Sequence, residues 1–186
     1  MIVHARSEHP GGAAAVRRLR QRARGYLAAL GCERAELSVL VVGDAAMRRL
    51  NRAWRGKDRP TDVLSFPAAG PGALLGDVVV SLDTARRSAK EDGRAIGAEL
   101  DRYLAHGLLH LLGHDHHRPA DARRMAEAED ALVGEGMVRS ANVPPCPPRS
   151  RSGSGSRPFD YASPPATLRS GRTDRSGGRS RQSRST

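Results

Sequence analysis

The chain has 186 residues, 38% hydrophobic but only 3% aromatic, which suggests one domain with some excess and a core of Leu, Val and Ala. No apolar run approaches the roughly 20 residues of a membrane span, and Met1 to Glu8 lacks the basic region and apolar stretch of a secretory signal, so the expected location is the cytoplasm, with no membrane partner. Net charge is +11 and uneven, with 22 Lys+Arg against 18 Asp+Glu in residues 1–140 and 9 Arg against 2 Asp in residues 141–186.

A basic balance favours polyanionic partners, nucleic acid above all, through phosphate contacts and counterion release. Cys32 and Cys146 form neither a CxxC pair nor a disulfide framework and read as free thiols in a reducing compartment.

Residues 1–140 alternate between strand and helix signals. Ile2 to His4 is a short first strand. Ala13 to Leu30 carries Val16, Leu19, Ala23, Leu27 and Leu30 at helical spacing, and Gly31 ends it. Glu36 to Val42 is a Val-rich strand. A helix follows from Gly43-Asp44, with Asp44 as candidate N-cap and Met47, Leu50 and Trp54 on one face. Gly56 to Pro60 is a loop, Thr61 to Phe66 a strand stopped by Pro67, Ala68 to Gly72 a turn, and Leu74 to Ser81 another strand. Leu82 to Asp92, Ile96 to Leu112 and Pro119 to about Gly134 read as helices. The predicted fold is an α+β domain over residues 1–140, a small mixed sheet packed with helices. From Pro144 onward the text turns to Pro, Arg, Ser and Gly without apolar periodicity. Residues 141–186 are expected to be a disordered tail, because such a segment cannot bury enough surface to offset its ordering entropy.

The chemistry concentrates in His106-Gly-Leu-Leu-His110-Leu-Leu-Gly-His-Asp-His116. His106 and His110 are four apart on a helix, so both project from one face and can reach one metal ion. Gly113 tolerates left-handed dihedrals and lets the chain fold back to deliver His116. Three neutral nitrogen ligands with an open fourth position is the pattern of a catalytic zinc site. His114 and His117 are extra, open between solvent exposure, lining the cleft and competing as a ligand, and Asp115 is open between orienting a ligand imidazole and a capping or turn role. The spacing resembles the metzincin proteases, His-Glu-x-x-His-x-x-Gly-x-x-His, except that Gly107 stands where the protease has its general-base glutamate. This puts peptide hydrolysis in doubt.

Three blocks in order resemble the YbeY family of metal-dependent endoribonucleases. They are Leu50-Asn-Arg-Ala-Trp-Arg-Gly-Lys-Asp-Arg-Pro-Thr-Asp-Val-Leu-Ser-Phe-Pro67, Leu75-Gly-Asp-Val-Val-Val-Ser81, and the histidine segment, with Glu127 and Glu129 fitting the closing helix. The resemblance implies a zincin-like arrangement with one zinc ion on His106, His110 and His116, and Arg55 as the basic residue beside the metal. It also implies cleavage of single-stranded RNA in ribosome biogenesis, maturing the 3′ end of 16S rRNA and contributing to 70S ribosome quality control. The partners it implies are ribosomal RNA and the small ribosomal subunit, with no DNA expected. The tail falls outside the resemblance.

Read without the family, Arg55, Lys57 and Arg59 lie close together in a Gly/Pro-bounded loop and suit a phosphate backbone, although a solvated loop explains them too. Asp62 is open between a cap, a partner for a loop arginine and a base. Asp77, in an otherwise apolar strand, is open between orienting a ligand imidazole and a solvent-facing position. His4 and His9 read as structural or surface residues.

Overall fold

In the middle strands the valines and leucines alternate between two apolar environments. Val39, Val41, Val78 and Val80 join one buried cluster, and Leu40, Val42 and Val79 join another. That period-two split marks a sheet covered on both faces. The computed structural model describes residues 1–68, 73–114 and 118–135; residues 69–72 of the expected turn, the segment Asp115, His116 and His117, and the tail 141–186 lie outside the described residues. The element order is β1 (Ile2–Ser7), α1 (Ala13–Ala29), β2 (Glu36–Val42), α2 (Asp44–Arg55), β3 (Val63–Pro67), β4 (Leu74–Ser81), α3 (Leu82–Glu91), α4 (Ile96–Leu111) and α5 (Pro119–Glu135). The four strands stand in the order β1-β2-β4-β3, with β1, β2 and β4 parallel and β3 antiparallel at the edge. The architecture is the expected α+β one.

On the larger-cluster face, α1 contributes Leu19, Ala23, Tyr26 and Leu27, and α4 contributes Leu104, Leu108 and Leu109, all at most 1% exposed. Each leucine buried in this way stabilises the fold by about 1.5–3 kcal/mol. The other face is covered by α2 alone, through Met47, Leu50 and Trp54 against Leu40, Leu64, Phe66 and Val79. The sheet therefore separates α2 from α4. Helix α4 is further held by buried charge: Asp101, 2% exposed, accepts two hydrogen bonds from Arg18 at 2.8 Å and pairs with Arg22 at 2.8 Å. Burial, reinforced by Asp101, pushes the neighbouring Tyr26 hydroxyl up to about 12.

Four expectations need correction. Strand β1 runs on to Ser7, since parallel pairing with β2 continues through Ser7–Val41. Strand β3 begins at Val63, because the Asp62 carboxylate takes the Val63 N–H and the Thr61 hydroxyl, each at 2.8 Å; it includes Pro67, whose missing N–H is tolerated on an edge strand. Asp77 is buried, 7% exposed, and its alternation with Val79 puts it on the α2 face, away from the histidine helix. Asp44 is not the N-cap of α2: Gly43 holds that position, and Asp44 is the first helical residue.

The N-terminus of α2 is instead capped from α3, where Asp83 Oδ2 accepts the Asp44 N–H at 3.0 Å. In return Asp44 accepts from Ser81 Oγ at 2.7 Å, from Thr84 Oγ1 at 2.9 Å and from Arg87. Burial would raise the Asp44 carboxyl, but the hydrogen bonds from Arg87, Ser81 and Thr84 outweigh it and hold the group below its ordinary 3.8. A depressed carboxyl contributes stability above its unfolded value and loses it as pH falls through the folded one. Asp44→Asn is therefore expected to cost about 1–2 kcal/mol at pH 7, with the gap closing below pH 3.8, as measured by urea unfolding at both pH values.

Candidate metal centre

Gly107, midway along α4, lies where the helix meets β3 and β4. A Cβ there would come within 2.9 Å of Val78 Cγ1, 3.0 Å of Ser65 Oγ and 3.1 Å of Val63 Cγ2. Ser65 Oγ also donates to the Gly107 carbonyl at 3.0 Å, fastening the helix to the edge strand at this point. The position where a metzincin protease carries its glutamate is thus pressed against the sheet, and a glutamate has no room there.

The histidines lie at the helix edge that this contact leaves free. His106 and His110 stand with ring centroids 4.7 Å apart, steeply inclined at 78°, and their Nε2 atoms are 3.1 Å from each other. Each ring is oriented through its other nitrogen. His106 Nδ1 donates to Glu129 Oε2 at 3.0 Å, and His110 Nδ1 donates to the His114 carbonyl at 3.0 Å. With each ring engaged through Nδ1, the two Nε2 atoms face one another, the arrangement in which a histidine pair can ligate one metal ion.

Glu129 comes from α5 and is held in turn by Arg102 Nε at 2.9 Å. Sequence reasoning placed Glu129 in the closing helix without giving it a role. The available signal was its place beside the buried stripe Met125, Ala128 and Leu132, where a carboxylate requires a partner. The His114 carbonyl reaches His110 because Gly113, at φ +86°, turns the chain back and lets the His114 N–H bond to the Leu109 carbonyl. The His114 imidazole is partly buried, and burial, then the nearby Arg124, holds it below the ordinary histidine value. Among the described residues no group of three or more His, Cys, Asp or Glu is arranged to hold a metal ion; the third expected ligand, His116, lies outside them, as does Asp115.

Arg55 ends α2, with Lys57 and Arg59 in the loop beyond it, and all three are exposed. Among the described residues their side chains make no hydrogen bond or ion pair with the histidines, and the sheet lies between α2 and α4. The edge strand joins the two regions. Trp54 packs edge-on against Phe66, centroids 5.7 Å apart, and the residue before it, Ser65, holds Gly107. The loop itself is pinned where Asn51 Nδ2 donates to the Arg59 carbonyl at 2.7 Å. His9 is structural, pairing with Asp83 at 3.1 Å, and His4 is a surface residue paired with Glu36 at 3.1 Å.

The sequence profile of the family described as Endoribonuclease YbeY matches residues 13–135. The chain belongs to this family. Among its relatives, the endoribonuclease YbeY of Anaeromyxobacter dehalogenans is 66% identical over 145 residues, covering 76% of this chain and 75% of its own length. That of Geobacter sulfurreducens is 47% identical over 137 residues, covering 69% and 89%. The solution structure of TM1509 from Thermotoga maritima superposes with a TM-score of 0.55 at 26% identity, covering 73% of this chain and 89% of that one. The YbeY profile spans both the basic loop and the histidine helix, and it stops at the last described residue of α5.

The packing at Gly107 predicts a reversal of ordinary helix propensity. Alanine in a helix interior normally gains about 1 kcal/mol over glycine. Here Gly107→Ala is expected to lose about 1–2 kcal/mol net, because Val78 and Val63 are stiff at χ1 and Ser65 must give up its hydrogen bond. Chemical denaturation decides it, and an unchanged or raised midpoint would refute the close approach.

Proposed function

We propose that the chain is a single-strand-specific metallo-endoribonuclease acting in ribosome biogenesis, maturing the 3′ end of 16S rRNA and contributing to 70S ribosome quality control in the cytoplasm. Membership of an endoribonuclease family supports the RNA substrate. No helix among the described residues is long and apolar enough to cross a membrane. The observation that carries the metal reading is the convergence of the His106 and His110 Nε2 atoms at 3.1 Å, each imidazole oriented through Nδ1.

His106, His110 and His116 would hold one zinc ion. When bound, the ion supplies a Lewis acid for a phosphoryl oxygen or a water. The other tasks fall to the chain itself. Glu129 and the His114 carbonyl orient the two rings through Nδ1, so that Nε2 is the atom each ring would offer to the ion. Arg55 offers two parallel N–H donors to phosphate oxygens and stabilises the charge that builds up on them in the transition state. Lys57 and Arg59 hold the neighbouring phosphates. The small ribosomal subunit is the partner that presents this RNA.

His110→Ala is expected to lose bound zinc by elemental analysis, and cleavage of single-stranded RNA by at least a hundredfold, while still folding. Retained cleavage would sink the reading. The product termini identify the nucleophile: a 2′,3′-cyclic phosphate means the ribose 2′-OH attacks, and a 5′-phosphate with a free 3′-OH means water does. Glu129→Gln is expected to weaken zinc binding about 10- to 100-fold in a chelator competition, with both histidines intact. An unchanged affinity would mean that Glu129 is only a partner for Arg102.

A further inference from the structure

The charge of residues 1–140 is not spread over their surface. Residues 45–60 hold Arg48, Arg49, Arg52, Arg55, Lys57 and Arg59 against a single acid, Asp58, giving +5. The whole of residues 1–140 carries +4, so everything outside this segment comes to −1. Arg48, Arg52 and Arg55 fall at i, i+4 and i+7, with Arg49 beside them, on the side of α2 opposite Met47, Leu50 and Trp54, and all four are exposed.

Three of the five arginines of helix α1 show what arginines look like when they serve the fold. There Arg18 binds Asp101, Arg22 pairs with Asp101, and Arg20 donates to the Ala5 carbonyl. On α2 and its loop, Arg48 alone of the six makes a side-chain hydrogen bond or ion pair among the described residues, with Asp58 at 2.6 Å. Cations in the last turn of a helix are favourable to its dipole, which accounts for Arg52 and Arg55. It does not account for Arg48 and Arg49, and like charges three and four apart along the stripe destabilise the helix. The face also lacks an exposed aromatic for bases to stack on, because Trp54 is turned toward Phe66.

We propose that the arginine face of α2, continued by the Lys57–Arg59 loop, is a docking surface for the sugar–phosphate backbone of single-stranded RNA, on the side of the sheet opposite the histidine helix. This rests on the reading of the chain as an RNA-cutting enzyme and adds to it a track beyond the cleavage point. Successive arginines are about 4.5–6 Å apart along the axis, a spacing that lets neighbouring side chains meet successive phosphates. The strand then passes from α2 around the edge strand β3, past Arg55, toward the histidines. Backbone contact without stacking makes the binding salt-dependent and nearly indifferent to base identity.

The test is fluorescence anisotropy of the zinc-loaded full chain with a labelled 2′-O-methyl oligonucleotide across a salt series; the methyl group blocks attack by the ribose hydroxyl, and a denaturing gel after each titration checks that water has not cut the strand. The stripe variant is Arg49→Gln/Arg52→Gln. The charge-matched control is Arg17→Gln/Arg24→Gln on α1, whose side chains are exposed. Removing two phosphate contacts is expected to flatten the log–log salt slope by about 1.4 and weaken binding about tenfold or more near 0.1 M salt. The control should keep the parent slope. Equal effects in both variants would mean general charge attraction and overturn the proposal, as would an unchanged slope in the stripe variant. So would loss of binding to anionic phospholipid vesicles with RNA binding intact. His110→Ala separates the two readings: it retains RNA affinity if the docking surface stands, whatever becomes of cleavage.

Discussion

A helix can reach a sheet at backbone distance only where it carries no side chain, and in this fold Gly107 is that place. The contact is made by Val63, Ser65 and Val78 on one side and bare helix backbone on the other, and the Ser65 hydroxyl closes it onto the Gly107 carbonyl. The rest of the site follows from it. A helix pinned at one point along its buried face has its other faces fixed in rotation, so His106 and His110 are aimed outward from the sheet toward α5. The same contact removes the carboxylate that related histidine spacings use as a base, and an enzyme of this family has to find its proton acceptor elsewhere.

Rotation of α4 is set a second time, by charge. Asp101 and Glu99, on different sides of this largely apolar helix, are almost fully buried, and each is matched by arginine: Arg18 and Arg22 for Asp101, Arg94 for Glu99. Leaving such a carboxylate without its partner costs several kcal/mol, so α4 cannot turn about its axis without breaking these pairs. Leucine packing alone would tolerate more slippage. The apolar and ionic restraints together hold two imidazoles at a separation that only a rigid support can keep.

The histidine pair was legible in the sequence because its geometry is local: four residues on a helix fix both direction and rise. The glycine after it was legible for the same reason, and so were β2, β4 and the helices, whose periodicity is strong. The partners of the site were not. Glu129 lies 23 positions beyond His106, and nothing in the spacing says that α5 folds back over α4. Asp44 looked like a cap because Asp is a good one, but the capping group came from Asp83, 39 positions away. Asp77 looked able to face water because strands alternate; in a sheet covered on both faces, alternation leads only to another buried side. Each miss is tertiary context overriding a sound local rule. The basic loop was legible as a cluster of charge, whereas its separation from α4 by the sheet became visible only with the strand order.

The dependence of His106 on α5 sets the order in which the site matures during translation. The stretch up to Leu112 encodes all four strands, α4 and both imidazoles, yet not the carboxylate that orients the first ring. That anchor comes only with Glu129, once α5 has been made and docked, because a domain generally folds as a unit. An enzyme that cuts RNA while its own ribosome and message lie within reach is thereby kept incomplete until the last helix of its domain is in place.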